Sequence, residues 1–493
     1  MKNFSTELLP PISELLCSGG DERIIVNPET GVNAYGCKPY PDPDLLAYGS
    51  STASVISSSG YDCASTLRSR LLGRLRKMPA ATLYAQEMQA IRAELLNVCK
   101  LPASTQIIFS PSGTDAHAIA GQYIASGASQ PSRIIMIEAN ETGRGVTAAL
   151  QGQGFYGNGD NLAPEIISIA MRHATGNLRA INDIDTDVTQ AVEMAITQHR
   201  RVLLVLIDCS KTGIIAPSLP CVLTLQQRYG HQLEILVDAC QFRIAPSTLR
   251  AYLAQDCIVA ITGSKFLGAP SFSAALLMSP ILAKRWQSRP FPQALKSISV
   301  QSEWPSDWPG IHYLANNANF GLLLRWSIAL HELKPFSALP PVFTTKIISE
   351  FARVIQNYLN QTNLLIALPS PPLERAPLIT QPTWDALPTI FPFLLRHASD
   401  QQTLLNVKET RWVYQQLTAS KLNLVPRCQL GQPVVCGQNA TPEISALRLC
   451  LSTRLIVKAF TEADAGKTII NDALAVLDKT LLLISRLPKK SRL

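Results

Sequence analysis

Between about residues 105 and 280 the chain alternates short runs of branched and apolar residues with segments of helical character, and this alternation restricts the fold more than any other feature. The runs are Gln106–Phe109, Arg133–Ile137, Glu165–Ala170, Arg201–Ile207, Glu234–Val237, Cys257–Ile261 and Ala274–Met278. They are continuous rather than alternating in polarity, the pattern of strands covered on both faces. Seven such strands separated by helices predict an α/β fold, a doubly wound seven-stranded and mostly parallel sheet.

The pattern changes after the Pro- and Trp-rich segment Trp304–Pro309. Asn319–Leu333 has the apolar spacing of a long linking helix. Beyond it Thr389–Leu395 and Ala446–Leu451 read as strands, and Thr403–Leu417 and Thr461–Leu487 as helices. The expected division is an N-terminal arm and helical region over 1–100, a large domain over 101–310, a linking helix over 311–334 and a smaller α/β C-terminal domain over 335–493. Within the first part, Gly31–Pro43 reads as a loop and Ala64–Leu101 as helical. With 493 residues, 46% of them hydrophobic, there is material for more than one core.

The net charge of +8 raises the question of a nucleic-acid partner. The basic residues are scattered, however, and the one dense run, Pro488–Arg492, reads as a solvated terminus. A basic balance equally suits a protein whose ligands are small anions. Eleven cysteines occur without CxxC pairs or histidines at zinc spacing, as expected for buried free thiols in a reducing compartment and no metal. Met1–Glu7 lacks the apolar core of a signal peptide, and no apolar stretch approaches the ~18 residues of a membrane span. The expectation is a cytoplasmic protein with neither nucleic acid nor membrane as partner.

Three segments carry chemistry. Ile107–Ala118 (IIFSPSGTDAHA) reads as a strand, a tight glycine turn and a helix, which aims helix N-terminal amides at an anion. Gly113 lets the backbone approach that anion, and Thr114 can donate to it. Glu234–Gln241 (EILVDACQ) ends an apolar strand with Asp238, at the sheet edge where open α/β folds place ligands. Ile261–Pro270 (ITGSKFLGAP) sets Lys265 among small and apolar residues, where an amine loses its proton more readily than on a solvated helix face. Taken singly, each also reads as an ordinary turn, a cap or a surface lysine.

Together, SGTDA, VDACQ and TGSK, in this order and with Lys265 27 residues after Asp238, resemble the fold-type-I pyridoxal-phosphate (PLP) enzymes of the aspartate-aminotransferase superfamily. The nearest branch is that of the class V aminotransferases and cysteine desulfurases. The resemblance implies PLP as cofactor, Lys265 forming the imine to it, Asp238 pairing with the pyridine nitrogen, and Gln241 donating to the phenolic oxygen. Gly113, Thr114, Thr262 and Ser264 would hold the phosphate. Cys209–Gly213 resembles the family's Ser-Asn-x-Thr-Gly stretch, with Ser210 where an asparagine commonly sits beside the ring. The segment in which the family carries a ring-stacking aromatic is here Ile137–Gly145 (IEANETGRG), with Asn140, Glu141 and Thr142 as the residues available. Ala446–Ser452 resembles the strand whose arginine grips a substrate carboxylate; Arg448 is favoured and Arg454 is its rival.

The same resemblance implies a small-molecule amino-acid substrate, chemistry at Cα and a homodimer with a shared active site, His312–Asn319 being the candidate partner loop. Tyr35 reads either as a substrate contact or as a loop residue packed on its own domain. The expected activity is aminotransferase-like. A cysteine desulfurase or other Cα-bond lyase is the alternative, with Cys436, 12 residues before Arg448, as its nucleophile. A non-catalytic binding or regulatory protein on the same fold is the alternative from another class.

Overall fold

A computed structural model of the chain describes residues 9–49, 54–152, 163–419, 426–436 and 443–487. The opening Met1–Glu7, the basic run from Pro488, and Gly437 beside Cys436 lie outside these residues.

Twelve strands are described: β1 (Leu45–Tyr48), β2 (Gln106–Ser110), β3 (Arg133–Ile137), β4 (Glu165–Ile169), β5 (Val202–Ile207), β6 (Leu233–Ala239), β7 (Ile258–Thr262), β8 (Ala274–Met278), β9 (Leu365–Ala367), β10 (Ile390–Leu395), β11 (Arg427–Val435) and β12 (Ser445–Cys450). Seven form the large sheet in the order β2-β8-β7-β6-β5-β3-β4. Parallel pairing runs from β4 through β3, β5 and β6 to β7, while β8 is antiparallel to both its neighbours. Every residue of β5, β6 and β7 is buried, because helices cover both faces. The seven apolar runs read from the sequence are these seven strands, shifted by one or two residues at their ends.

Helix ends follow local chemistry that hydropathy does not carry. Pro79 separates Ser58–Leu75 from Ala80–Val98 where one helical region was expected. Asn319 caps the helix Phe320–Ser337 by accepting from Leu322 N at 3.0 Å. The expected helix Thr403–Leu417 begins later, at Val407, because Asn406 and Glu409 form a reciprocal cap. The expected terminal helix Thr461–Leu487 is instead two helices, Thr453–Thr461 and Ala465–Ser485, parted where Asp464 takes a φ of +56°. Pro341–Gln361 adds a helix and β1, β9 and β11 add strands that the hydropathy pattern did not mark.

The second sheet has the order β1-β11-β12-β10-β9. Its edge strand β1 comes from the first fifty residues and pairs parallel with β11, Leu45 beside Arg427. The N-terminal segment thus joins the sheet of the C-terminal part. Buried arginines tie these pieces together. Arg325, in the middle of Phe320–Ser337, donates to Phe272 O at 2.7 Å, Ser18 O at 2.6 Å and Gly19 O at 3.1 Å, which pins the arm against the large sheet. Arg243 lies over the Phe266 ring at 4.8 Å and donates to Thr389 Oγ1 and Leu451 O across the boundary. Arg375 grips Asp208, just past β5, through two 2.6 Å bonds, and Tyr252 donates to the same carboxylate at 2.7 Å. No helix among the described residues is long and apolar enough to cross a membrane.

The Arg375–Asp208 pair is almost wholly buried, so removing one partner strands a charge. Arg375→Met should lower unfolding free energy by about 3–5 kcal/mol, and Arg375→Met with Asp208→Leu should recover much of the loss. Urea unfolding of the wild type, the single and the double variant checks both statements.

Candidate active site

The C-terminal ends of the parallel strands open into a cavity of about 730 Å³ closed on its far side by the smaller sheet. Strand β6 delivers Asp238, Cys240 and Gln241 to it, and the turn after β7 delivers Thr262, Ser264 and Lys265. The turn after β2 brings Ser112, Gly113 and Thr114. These are the three segments singled out in the sequence, and the fold gathers them into one wall.

Ser112 caps the helix Gly113–Ala125 in a reciprocal box: Ser112 N donates to Asp115 Oδ2 at 2.8 Å, and Asp115 N donates to Ser112 Oγ at 3.2 Å. The first amides of that helix therefore face the cavity with their positive dipole end. A Cβ on Gly113 would stand 2.9 Å from Cys240 Sγ, so glycine is what lets the helix start lie against the end of β6. Thr262 Oγ1 donates to Cys240 O at 2.6 Å, joining the ends of β6 and β7.

Asp238 is buried, with Oδ1 accepting from Cys240 N at 3.1 Å and Oδ2 lying 3.4 Å from His117 Nε2. Burial pushes its carboxyl up, but His117, Lys265 and the Cys240 thiol outweigh that and hold it well below the usual range. His117 shows the converse. Burial pulls its imidazole down, while Asp238 and the carbonyl of Gly113, 2.6 Å from Nδ1, raise it above its ordinary value overall. The ligand atoms of His117, Asp238 and Cys240 lie within 4.8 Å of one another, a cluster that sequence spacing hid.

Arg448 lines the opposite wall. It donates to Gln432 O at 2.7 Å, at a register shift in β11, and lies opposite Gly431. A Cβ on Gly431 would come within 3.0 Å of Arg448 Nε, so the glycine is what admits this side chain. Arg454, its rival, does not line the cavity. It donates to Val55 O and Gly268 O and pairs with Glu332.

Glu141 and Ser210 do not line the cavity either. Glu141 Oε1 accepts from Arg172 Nε at 2.9 Å, and Oε2 accepts from Ser210 Oγ at 2.8 Å and Thr212 Oγ1 at 2.7 Å, all buried. Of the three residues offered for the ring-stacking position, Thr142 is the one on the cavity wall, its buried hydroxyl without a partner. Tyr35 lines the cavity while its ring lies 6.4 Å from that of Phe272. Cys436 is buried among Leu394, Ile444 and Ala446, outside the cavity, and burial pushes its thiol up to about 11. His312 and Asn319 are likewise off the cavity wall, and Asn319 serves as a helix cap.

Several residues of the wall carry no signal in linear sequence. Arg23, from the N-terminal arm, holds Asp21 and lies 5.3 Å over the Phe272 ring. It reaches the helix start with donors 3.3 Å from Thr114 Oγ1 and 3.5 Å from Ser112 Oγ. His117 was legible in principle, one helical turn after Gly113. Lys211, next to Ser210, also faces inward, as do Arg411, Tyr414, Gln415 and Thr418 from one face of the helix Val407–Ala419.

No protein-family model matches the sequence, and no curated protein matches it. Solved structures do match in fold. A cystine C–S lyase, C-DES, with glycine covalently linked to its PLP cofactor, superposes with a TM-score of 0.54 at 14% identity, over 87% of this chain and 96% of its own. A NifS-like protein from Rickettsia africae gives 0.52 at 10% identity, over 88% and 99%. A phosphoserine aminotransferase from Cytophaga hutchinsonii gives 0.50 at 10% identity, over 87% and 98%. The seven-stranded sheet, its single antiparallel strand β8 and these superpositions together give this chain the fold of the fold-type-I PLP enzymes.

Proposed function

We propose that the chain is a PLP-dependent enzyme that acts on an amino acid or amine at Cα, with aminotransferase-like chemistry and a homodimer as its working form. One observation carries the reading. A lysine after β7, a buried carboxylate held ionised at the end of β6 and the N-terminus of the helix after β2 face one cavity. The cystine lyase that shares this fold has PLP as its cofactor.

The wall fits that group. Arg23 and the first amides of Gly113–Ala125, with Thr114, Thr262 and Ser264, suit a phosphate. Asp238 suits a protonated pyridine nitrogen, because a buried anion requires a cation. Gln241 Oε1 and Ser273 Oγ are buried on the cavity wall without a partner among the described residues, as polar atoms awaiting a ligand are. Bound there, the cofactor would supply an electron sink for breaking a bond at Cα.

The protein's own contributions follow from its geometry. Asp238 keeps positive charge at the ring nitrogen, and His117 supports Asp238 from behind. Lys265 would hold the cofactor through its amine, and that amine is placed to carry a proton to or from a substrate carbon. Arg448, held by the carbonyls of Gln432 and Lys211 and with its Nε unpaired among the described residues, would orient a carboxylate. Thr142, one of the three residues available in the segment where the family carries an aromatic, would lie beside the ring. Cys240, the one cysteine on this wall among the described residues, is a neutral thiol beside Asp238, since burial and that carboxylate push it well above its ordinary value. With Cys436 also buried and protonated, a thiolate route has less support than amino transfer.

Purified protein given PLP should develop a visible absorption band, and borohydride should then fix the cofactor covalently. Lys265→Ala should do neither, and absence of the band in wild type would sink the proposal. Arg23→Gln should weaken PLP binding by about ten- to a hundredfold through loss of a charge-assisted contact. It should leave pyridoxal, which has no phosphate, little changed. Fluorescence titration with the two cofactors reads that difference.

A further inference from the structure

With Asp238, Lys265 and Arg23 assigned to the cofactor and Arg448 to one substrate carboxylate, the cavity wall still carries Lys211, Arg144 and Arg411. Its one carboxylate among the described residues is Asp238. Lys211, just past β5, donates to Asn140 O at 3.0 Å and Ala139 O at 3.3 Å, both backbone carbonyls. The charged groups around it are Arg448 from β12, Lys265 from the turn after β7, Arg144 from the turn after β3, and Glu141. Glu141 is already engaged by Arg172, Ser210 and Thr212. Burial first, and then the neighbouring cations, pull Lys211 down to about 7.

The facing wall points the same way. The helix Val407–Ala419 turns Arg411, Tyr414, Gln415 and Thr418 into the cavity at helical spacing, and Gln429 and Gln432 of β11 continue that surface. Pro433 and Val434 are its apolar members. Lys211 is half-buried and Arg411 exposed, so an anionic substrate side chain gains charge-assisted contacts on this wall that an aliphatic one does not.

Resting on the reading above, we infer that the substrate is an acidic amino acid, whose second anionic group, a carboxylate or a phosphate, is received by Lys211 and the Arg411 face while Arg448 holds the first. The competing arrangement has Lys211 and Arg448 share a single carboxylate, and it gives no preference for dianions. Succinate, 3-phosphonopropionate and butyrate separate the two when titrated by calorimetry at pH 8, in two buffers of different ionisation heat, into protein whose PLP loading has been verified by borohydride fixation.

One of the dianions should bind at least about tenfold tighter than butyrate. Which of them does so distinguishes carboxylate from phosphate. An anion beside the Lys211 amine favours its charged form, so binding at pH 8 should be accompanied by proton uptake. Lys211→Met and Arg411→Gln should each cut the preference about tenfold without affecting borohydride fixation. Equal binding of butyrate and both dianions by loaded wild-type protein overturns the inference whether or not either variant folds, and so does a preference that both variants leave unchanged. Failure to load PLP at all overturns the underlying reading as well, and the fixation control reveals it before any acid is added.

Discussion

The structure is organised around a negative charge held out of water at the end of its central strand. Asp238 ends a strand whose every residue is buried, and burial alone would protonate it. It stays ionised because His117, Lys265 and the Cys240 thiol are arranged around it. His117 is there because the helix beginning at Gly113 lies against the end of β6, and that contact needs the missing side chain of Gly113. The anion-facing helix start and the buried carboxylate are thus a single piece of packing: what moves one moves the other.

The remaining walls are assembled from far apart in sequence. The arm that carries Arg23 is pinned by Arg325, whose guanidinium satisfies four carbonyls from inside a helix. Burial lowers Arg325 to about 9, so it remains cationic at neutral pH, and its donors serve carbonyls rather than a carboxylate. The smaller sheet is held to the large one by Arg243 and Arg375, and it brings Arg448 to the cavity only because Gly431 and the shift in β11 make room. The site lies where buried arginines hold the arm, the large sheet and the smaller sheet against one another.

The large sheet was legible because continuous apolar runs have few other uses, and the three motif segments were legible because glycine, aspartate and lysine at strand ends have definite chemical roles. The partition of β11 was not, since its register shift around Gln432 and Pro433 has no hydropathy signature. Arg448 could be separated from Arg454 only by backbone direction: the first points along the cavity wall, and the second caps carbonyls on the other side. Glu141 is instructive in the opposite sense. Sequence order made it a neighbour of the ring site, but Arg172, outside every motif, takes its carboxylate inward. Residues such as Arg23 and Lys211 acquire meaning only from what the fold sets opposite them.

Composition leaves the +8 charge ambiguous between a polyanionic partner and small anions. Six cationic side chains, Arg23, Arg144, Lys211, Lys265, Arg411 and Arg448, face into one cavity against a single carboxylate. A cation in a partly dehydrated concave wall acts on a ligand with much less screening than one on an open surface. The cavity has the size of a small-molecule site, and its polar groups converge on one volume rather than tracking along a surface. A nucleic-acid surface needs its charges outward and spaced along a backbone. Here six cationic side chains line one cavity, Arg144 and Arg411 among them exposed, an arrangement that suits small anions better than a long polyanion.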